Sequence, residues 1–450
     1  MALLVLSGGG GHSMLKRFVA LLTIGLLAVG ACRSGPAEGP SGASPGASPT
    51  VAAIKTGPGI EGQTIKVAEL TPLTGSVALI GKPLTRGHEV YFQYVNDVLG
   101  GVGKNLPKEQ RYKVELVTLD TQYLPDIHVQ QYNAVKEKVA LIAQSLGTPQ
   151  TVAILQQIRD DKIVTGAATL AGIWFKEKYV VANGAPYIAQ IANGLQYLKD
   201  KGITPKLGLI YQDDDYGAEG VAGTEYAAKA LGFTIVAKAS YKVSDTEYAA
   251  PVNTMKQAGA DHVVLTTTPT ATGRILGAAA AVQYAPRWIG NSPAWIGALV
   301  GTKEKPSPLV PYMQQTFWVV TDQGCGWADV GAGCEGSKLM QDNMAKYAKD
   351  QVPDYYFSFG YVQAMSIHAI LEKAVEMRDL SREGIANAFA NLKSVDTGGL
   401  RKALSYGATC QEKVGVTGST IWKIDTTQPI ALATVADVDS KLAKDYKYCP

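Results

Sequence analysis

Cysteine and histidine are both scarce, with five of each in 450 residues. No CxxC occurs, and no Cys/His spacing has the form of a zinc site. No P-loop, HExxH or G-x-S-x-G nucleophile elbow is present, which removes the common nucleotide, metalloprotease and serine-hydrolase readings. The glycines of "LGGVGK" follow a helix instead of a strand, so a dinucleotide loop fails on context. Charged residues make up only 18% and the formal charge is +3. A nucleic-acid binder concentrates basic charge, and this chain does not. No apolar run of about 20 residues, the length of a membrane span, follows residue 32. His88, His128 and His368 lie inside amphipathic helices and His262 at a strand start, where core-edge or solvated roles are expected. No catalytic residue, metal site or cofactor is expected.

What is present begins with an address. "MLKRFVALLTIGLLAVGAC" has basic Lys16 and Arg17, an apolar run from Phe18 to Ala28, and small residues before Cys32. This is the order of a secretory signal. The ending Val29-Gly30-Ala31-Cys32 resembles the lipobox of bacterial lipoproteins, which implies removal of residues 1–31 and lipidation of Cys32. "MALLVLSGGGGHS" ahead of Met14 is left out of the fold reading, Met14 being the alternative start. Residues 32–61 are rich in Gly, Pro, Ser and Ala without apolar periodicity, the composition of a flexible tether. Removal of Lys16 and Arg17 leaves a net charge of about +1.

Four cysteines remain: Cys325, Cys334, Cys410 and Cys449. An exported chain permits disulfides, and four cysteines allow three pairings. Cys325 and Cys334 flank the Gly-rich loop "CGWADVGAGC", which can close locally. Cys410 and Cys449 are then left to tie down the tail.

From about residue 62, strands alternate with amphipathic helices. "TIKVAELTPLTG" reads as a strand, "TRGHEVYFQYVNDVLGG" as a helix, then "YKVELVTLD", "VALIAQSL" and "KIVTGAAT" as strands separated by helices. The pattern restarts with the strands "KLGLIY", "FTIVAKASY" and "DHVVLTTT". Alternation of this sort builds parallel sheets covered on both faces. Two such units imply two lobes with a cleft between them, at the carboxyl ends of the strands. "YQDDDYGAEG", residues 211 to 220, falls at one of these ends. Its three aspartates suit either a divalent cation or the start of a helix. The other strand ends, "TPLTG", "QSLGTPQ", "GAAT" and "TTTPT", offer hydroxyls and N–H groups instead of carboxylates. That inventory suits hydrogen bonding to a small polar or anionic ligand.

The ordered series "IKVAELTPLTG", "VND…GG", "ELVTLDTQ", "GAAT" and "GLIYQDDDYGAEG" resembles the branched-chain amino acid-binding proteins of ABC importers. The resemblance runs over most of residues 62 to 425. It implies an α/β, two-lobed type I periplasmic binding protein fold with three crossovers. Residues 62–186 plus 319–398 would form the first lobe, and 187–318 plus 399–450 the second. The ligand's carboxylate would be gripped from the first lobe near Thr148, Ala167 and Thr169. Tyr216 would reach the ligand, with the aspartates at the helix entry.

The departures from the family concern the amine end. Ser292, in "GNSPAW", stands where amino-acid binders present a carboxylate. Thr268 replaces a tyrosine, Ile80 an aromatic, and Ala185-Pro186-Tyr187 an expected acid. A buried ammonium without a counter-charge is costly. The expected ligand is therefore a small carboxylate or amide with an apolar or aromatic body, with Tyr187 and Trp295 beside it. The expected partners are that ligand, ABC transporter permease subunits, and the membrane through the lipid anchor. The chain is expected to act as an extracytoplasmic monomer that binds no nucleic acid. An ordinary branched-chain amino acid binder and a ligand sensor for a separate membrane receptor are the alternatives.

Overall fold

Two parallel sheets, each wrapped by helices, organise the chain in the computed structural model, which describes residues 53–325, 334–402 and 404–449. The signal sequence, Cys32, most of the tether and the interior of the 325–334 loop lie outside the described residues.

In the first sheet Thr64–Thr71 pairs in parallel with both Lys113–Asp120 and Leu141–Leu146. Thr165–Ala168 and Val180–Val181 extend it in parallel. All six residues of Leu141–Leu146 are buried, as expected of a strand covered on both faces. In the second sheet the order is Leu432–Val438, Ser419–Ile424, Phe317–Asp322, Arg287–Asn291, His262–Thr266, Lys206–Gln212 and Thr234–Tyr241. Ser419–Ile424 is antiparallel to both of its neighbours, and the remaining pairings are parallel.

The chain passes between the lobes three times: through 182–186, after Asp322, and through the stretch that ends at Ser419. Phe317–Asp322 pairs with Arg287–Asn291, so the second sheet runs to Asp322. The boundary expected at 319 falls inside this strand, whose partner the local sequence does not reveal. Cys325–Cys334 closes a loop in the second connection, and Cys410–Cys449 ties the third to the C-terminal tail.

The first long helix spans Ala78–Tyr94 and starts ahead of the segment expected from sequence, with Pro83 inside it. Pro83 has no N–H to offer the Leu79 carbonyl. Leu79 itself is 45% exposed. Tyr355–Glu376 packs against this helix in the first lobe.

Candidate functional site

The aspartate run resolves into a helix cap. Asp214 is the N-cap of Asp215–Leu231, its carboxylate accepting from the N–H groups of Tyr216 at 3.0 Å and Gly217 at 3.2 Å. Gln212 also donates to it. Asp213 and Asp215 are exposed. Among the described residues, no group of three His, Cys, Asp or Glu side chains is placed to hold a metal ion. A Cβ on Gly217 would lie 1.7 Å from the Gln212 carbonyl oxygen, so only glycine lets the first turn fold this tightly onto the strand end.

The cap aims Tyr216 inward. Its ring is buried, and its hydroxyl reaches Asn291 Oδ1 at 2.7 Å and the Thr267 carbonyl at 3.2 Å. The Tyr187 ring meets it edge-on, with centroids 5.0 Å apart. Tyr187 donates to Thr169 Oγ1 at 3.4 Å, and Thr169 shares a 2.5 Å hydrogen bond with Thr148. Burial holds the Tyr187 phenol up at about 12 and that of Tyr216 well above its ordinary value, so both remain neutral donors.

These side chains surround an interlobe cavity of about 50 Å³, room for a few water molecules. The first lobe contributes Val77, Ile80, Leu84, Tyr123, Leu146, Thr148, Ala168, Thr169, Leu170, Tyr355, Tyr356 and Phe359. Tyr187, Tyr216, Thr268, Ser292 and Pro293 complete it. No Asp, Glu, Lys, Arg or His is among its described lining residues.

The lobes are closed upon one another. Tyr356 donates to the Ser292 carbonyl at 3.1 Å, Thr270 to the Ser76 carbonyl at 3.2 Å, and the Gly172 N–H to Glu219 Oε1 at 3.1 Å. Gln212 lies 3.4 Å from the Tyr123 hydroxyl. Ser292 turns its N–H and hydroxyl to Gln190 Oε1, at 2.9 and 3.0 Å.

Two expected residues lie elsewhere. Trp295 is buried in the second lobe against Phe317, with ring centroids 6.3 Å apart. Ala167 is buried behind the cavity wall, which its neighbour Ala168 lines. Ile80, Thr148, Thr169, Tyr187, Tyr216, Thr268 and Ser292 all line it. Sequence reasoning missed Val77, Leu84, Tyr123, Tyr355, Tyr356 and Phe359. One signal was available: "PDYYFS" repeats the Asp-x-Tyr order of "DDDYG". Asp354 caps Tyr355–Glu376 by accepting from the N–H groups of Tyr356 at 2.7 Å and Phe357 at 3.3 Å.

Residues 64–439 match the model of a family described as periplasmic binding protein. The chain belongs to that family. Periplasmic binding proteins capture ligands and are not enzymes, in keeping with the two-lobed fold and the cavity between the lobes. Leu/Ile/Val-binding protein homolog 8 of Brucella abortus (strain 2308) is 28% identical over 230 residues, 45% of this chain and 51% of that protein. Homolog 7 of the same strain is 27% identical over 240 residues, 48% of this chain and 55% of that protein. The matches thus span about half the length of these relatives. Among solved structures, the fatty acid ABC transporter substrate-binding protein from Thermomonospora curvata is 28% identical, with a TM-score of 0.79 over 88% of this chain and 97% of that one. A branched chain amino acid ABC transporter protein from Thermus thermophilus with bound valine shares the fold, with a TM-score of 0.71, 18% identity, and coverage of 87% and 100%. No helix among the described residues is long and apolar enough to cross a membrane.

Proposed function

We propose that this chain is an extracytoplasmic solute-binding protein, anchored through lipidated Cys32, that delivers its ligand to an ABC importer. The ligand is a small carboxylate or amide with an apolar or aromatic body. The observation that carries this reading is the cavity wall. It offers the Thr148 and Thr169 hydroxyls and a ring of tyrosines but, among its described residues, no carboxylate to pair with an ammonium. Asp214, the nearby acid with a claim to that role, is engaged by two backbone N–H groups of its own helix. A buried charge without its partner costs about 3–5 kcal/mol, roughly two to four decades of affinity. The fatty acid-binding relative from Thermomonospora curvata adds support for an apolar acid.

Calorimetry with leucine, 4-methylpentanoate, hexanamide and decanoate tests the reading. Binding of at least one acid or the amide, with leucine at least a hundredfold weaker, is expected. Tight leucine binding with no response to 4-methylpentanoate would overturn it in favour of an ordinary branched-chain amino acid binder.

A further inference from the structure

One side chain belongs to both the cavity and the hinge. The Tyr355 ring lines the cavity, and its hydroxyl donates to Asp322 Oδ1 at 2.5 Å. Tyr355 opens the helix Tyr355–Glu376, which rides on the first lobe. Asp322 ends the strand Phe317–Asp322 of the second lobe, where the second connection departs. This hydrogen bond therefore spans the lobes at their pivot.

The third connection pairs with the same carboxylate, and the first runs close beside it. Arg401, in the third, places Nε 2.5 Å from Asp322 Oδ2, and both side chains are buried, at 4% and 0% exposure. In the first, a Cβ on Gly184 would lie 3.1 Å from that oxygen, and the backbone there has φ of +138°. A side chain at 184 would therefore crowd the carboxylate and strain the chain. The Arg401 guanidinium lies over the Tyr355 ring, 5.1 Å from its centroid, and donates to the Leu400 carbonyl at 2.8 Å. Charges removed from water need near-complete compensation. Here that compensation comes from the Tyr355 hydroxyl and the Arg401 guanidinium, carried by the first-lobe helix and the third connection.

We propose that Tyr355 is a positioning residue that couples occupancy of the cavity to the hinge. A ligand packed against its ring keeps the hydroxyl on Asp322, and the carboxylate then holds the first-lobe helix, its own strand end at the second connection and Arg401 of the third in the closed setting. Opening displaces the strand that carries Asp322 relative to the helix that carries Tyr355. A short hydrogen bond to a charged group resists that displacement. The adjacent Tyr356 reaches the Ser292 carbonyl of the second lobe at 3.1 Å. Two consecutive residues thus sense the cavity, one tied to the pivot and the other to the opposing wall. The coupling rests on the binding function proposed above.

Tyr355→Phe tests the inference, because it keeps the ring in the cavity and removes only the hydroxyl. In ligand-free protein the variant is expected to show a larger radius of gyration by small-angle scattering, with an unchanged circular-dichroism spectrum. Hydrogen exchange in peptides covering 182–186 and 398–402 should accelerate several-fold. With decanoate as probe, dissociation should be roughly tenfold faster at an unchanged association rate. Scattering and hinge exchange identical to the wild type would overturn the inference. If decanoate fails to bind the wild-type protein, the proposed ligand class is in question, and the ligand-free measurements still decide the role of Tyr355.

Discussion

Tyr216 and Tyr356 occupy the same position of two different helices, one in each lobe, and enter the cavity from opposite sides. Each follows an aspartate cap by two residues, and each cap accepts the tyrosine's own N–H, at 3.0 Å from Asp214 and 2.7 Å from Asp354. The cap satisfies free N–H groups of the helix start and fixes the direction in which the tyrosine leaves it. An Asp-to-Ala change at such a position typically costs about 0.5–2 kcal/mol, and here it would also release a cavity wall.

Tyr216→Phe should weaken binding about fivefold, the equivalent of about 1 kcal/mol for one neutral hydrogen bond. The hydroxyl given up reaches Asn291 and the Thr267 carbonyl. Calorimetry with whichever of the four test ligands binds best supplies the measurement. An unchanged affinity would show that the Tyr216 hydroxyl plays no part in binding.

Closure should depend on pH through Glu219. Its carboxylate accepts the Gly172 N–H across the cleft at 3.1 Å. Burial raises its pKa to about 7 in this closed form, against the pull of the Gly172 and Ile173 N–H groups and of Lys176. Tyr187, Tyr446 and Tyr448 also face it. An exposed glutamate titrates near 4.3. Between those values closing takes up a proton, so the closed form gains as pH falls through 7 and loses that gain above it. Small-angle scattering of the free protein from pH 5 to 8 should show this trend. Glu219→Gln should flatten it; a wild-type profile already flat would refute the assignment.

Breaking Cys410–Cys449 by a Cys449→Ser change should cost roughly 2–4 kcal/mol and lower the melting temperature. The bridge holds Tyr448 against Phe175, with ring centroids 5.5 Å apart. Non-reducing peptide mapping checks the pairing, and calorimetric melting of the variant checks the cost.

Cys32 should carry lipid. Cells fed a fatty-acid analogue should label the wild-type protein and leave Cys32→Ala unlabelled; label on the variant would exclude this anchor.

Much of the fold could be read from the chain because strand and helix periodicities alternate from residue 62 onward, and that alternation restarts once. Tyr216 was legible through the family resemblance of "DDDYG", whose cap, tyrosine and glycine are contiguous in the chain. Tyr356 was not, because its helix returns to the first lobe only after the second connection, and sequence distance hides that return. Trp295 was misplaced by proximity. It stands three residues from Ser292, yet the short helical turn Ser292–Ala294 directs it into the second lobe beside Phe317.

The strand Phe317–Asp322 draws its neighbours from distant parts of the chain. Arg287–Asn291 precedes it, but Ser419–Ile424 arrives only after the whole return through the first lobe. During synthesis and export the growing chain therefore carries this strand with one side unzipped. An open strand edge invites pairing with other chains, and partly made proteins are the species most exposed to that hazard. The final segment, Ser419 to Val438, is the cover for that edge. A product stalled or clipped ahead of residue 419 would keep an adhesive flank, and aggregation would be its characteristic fate.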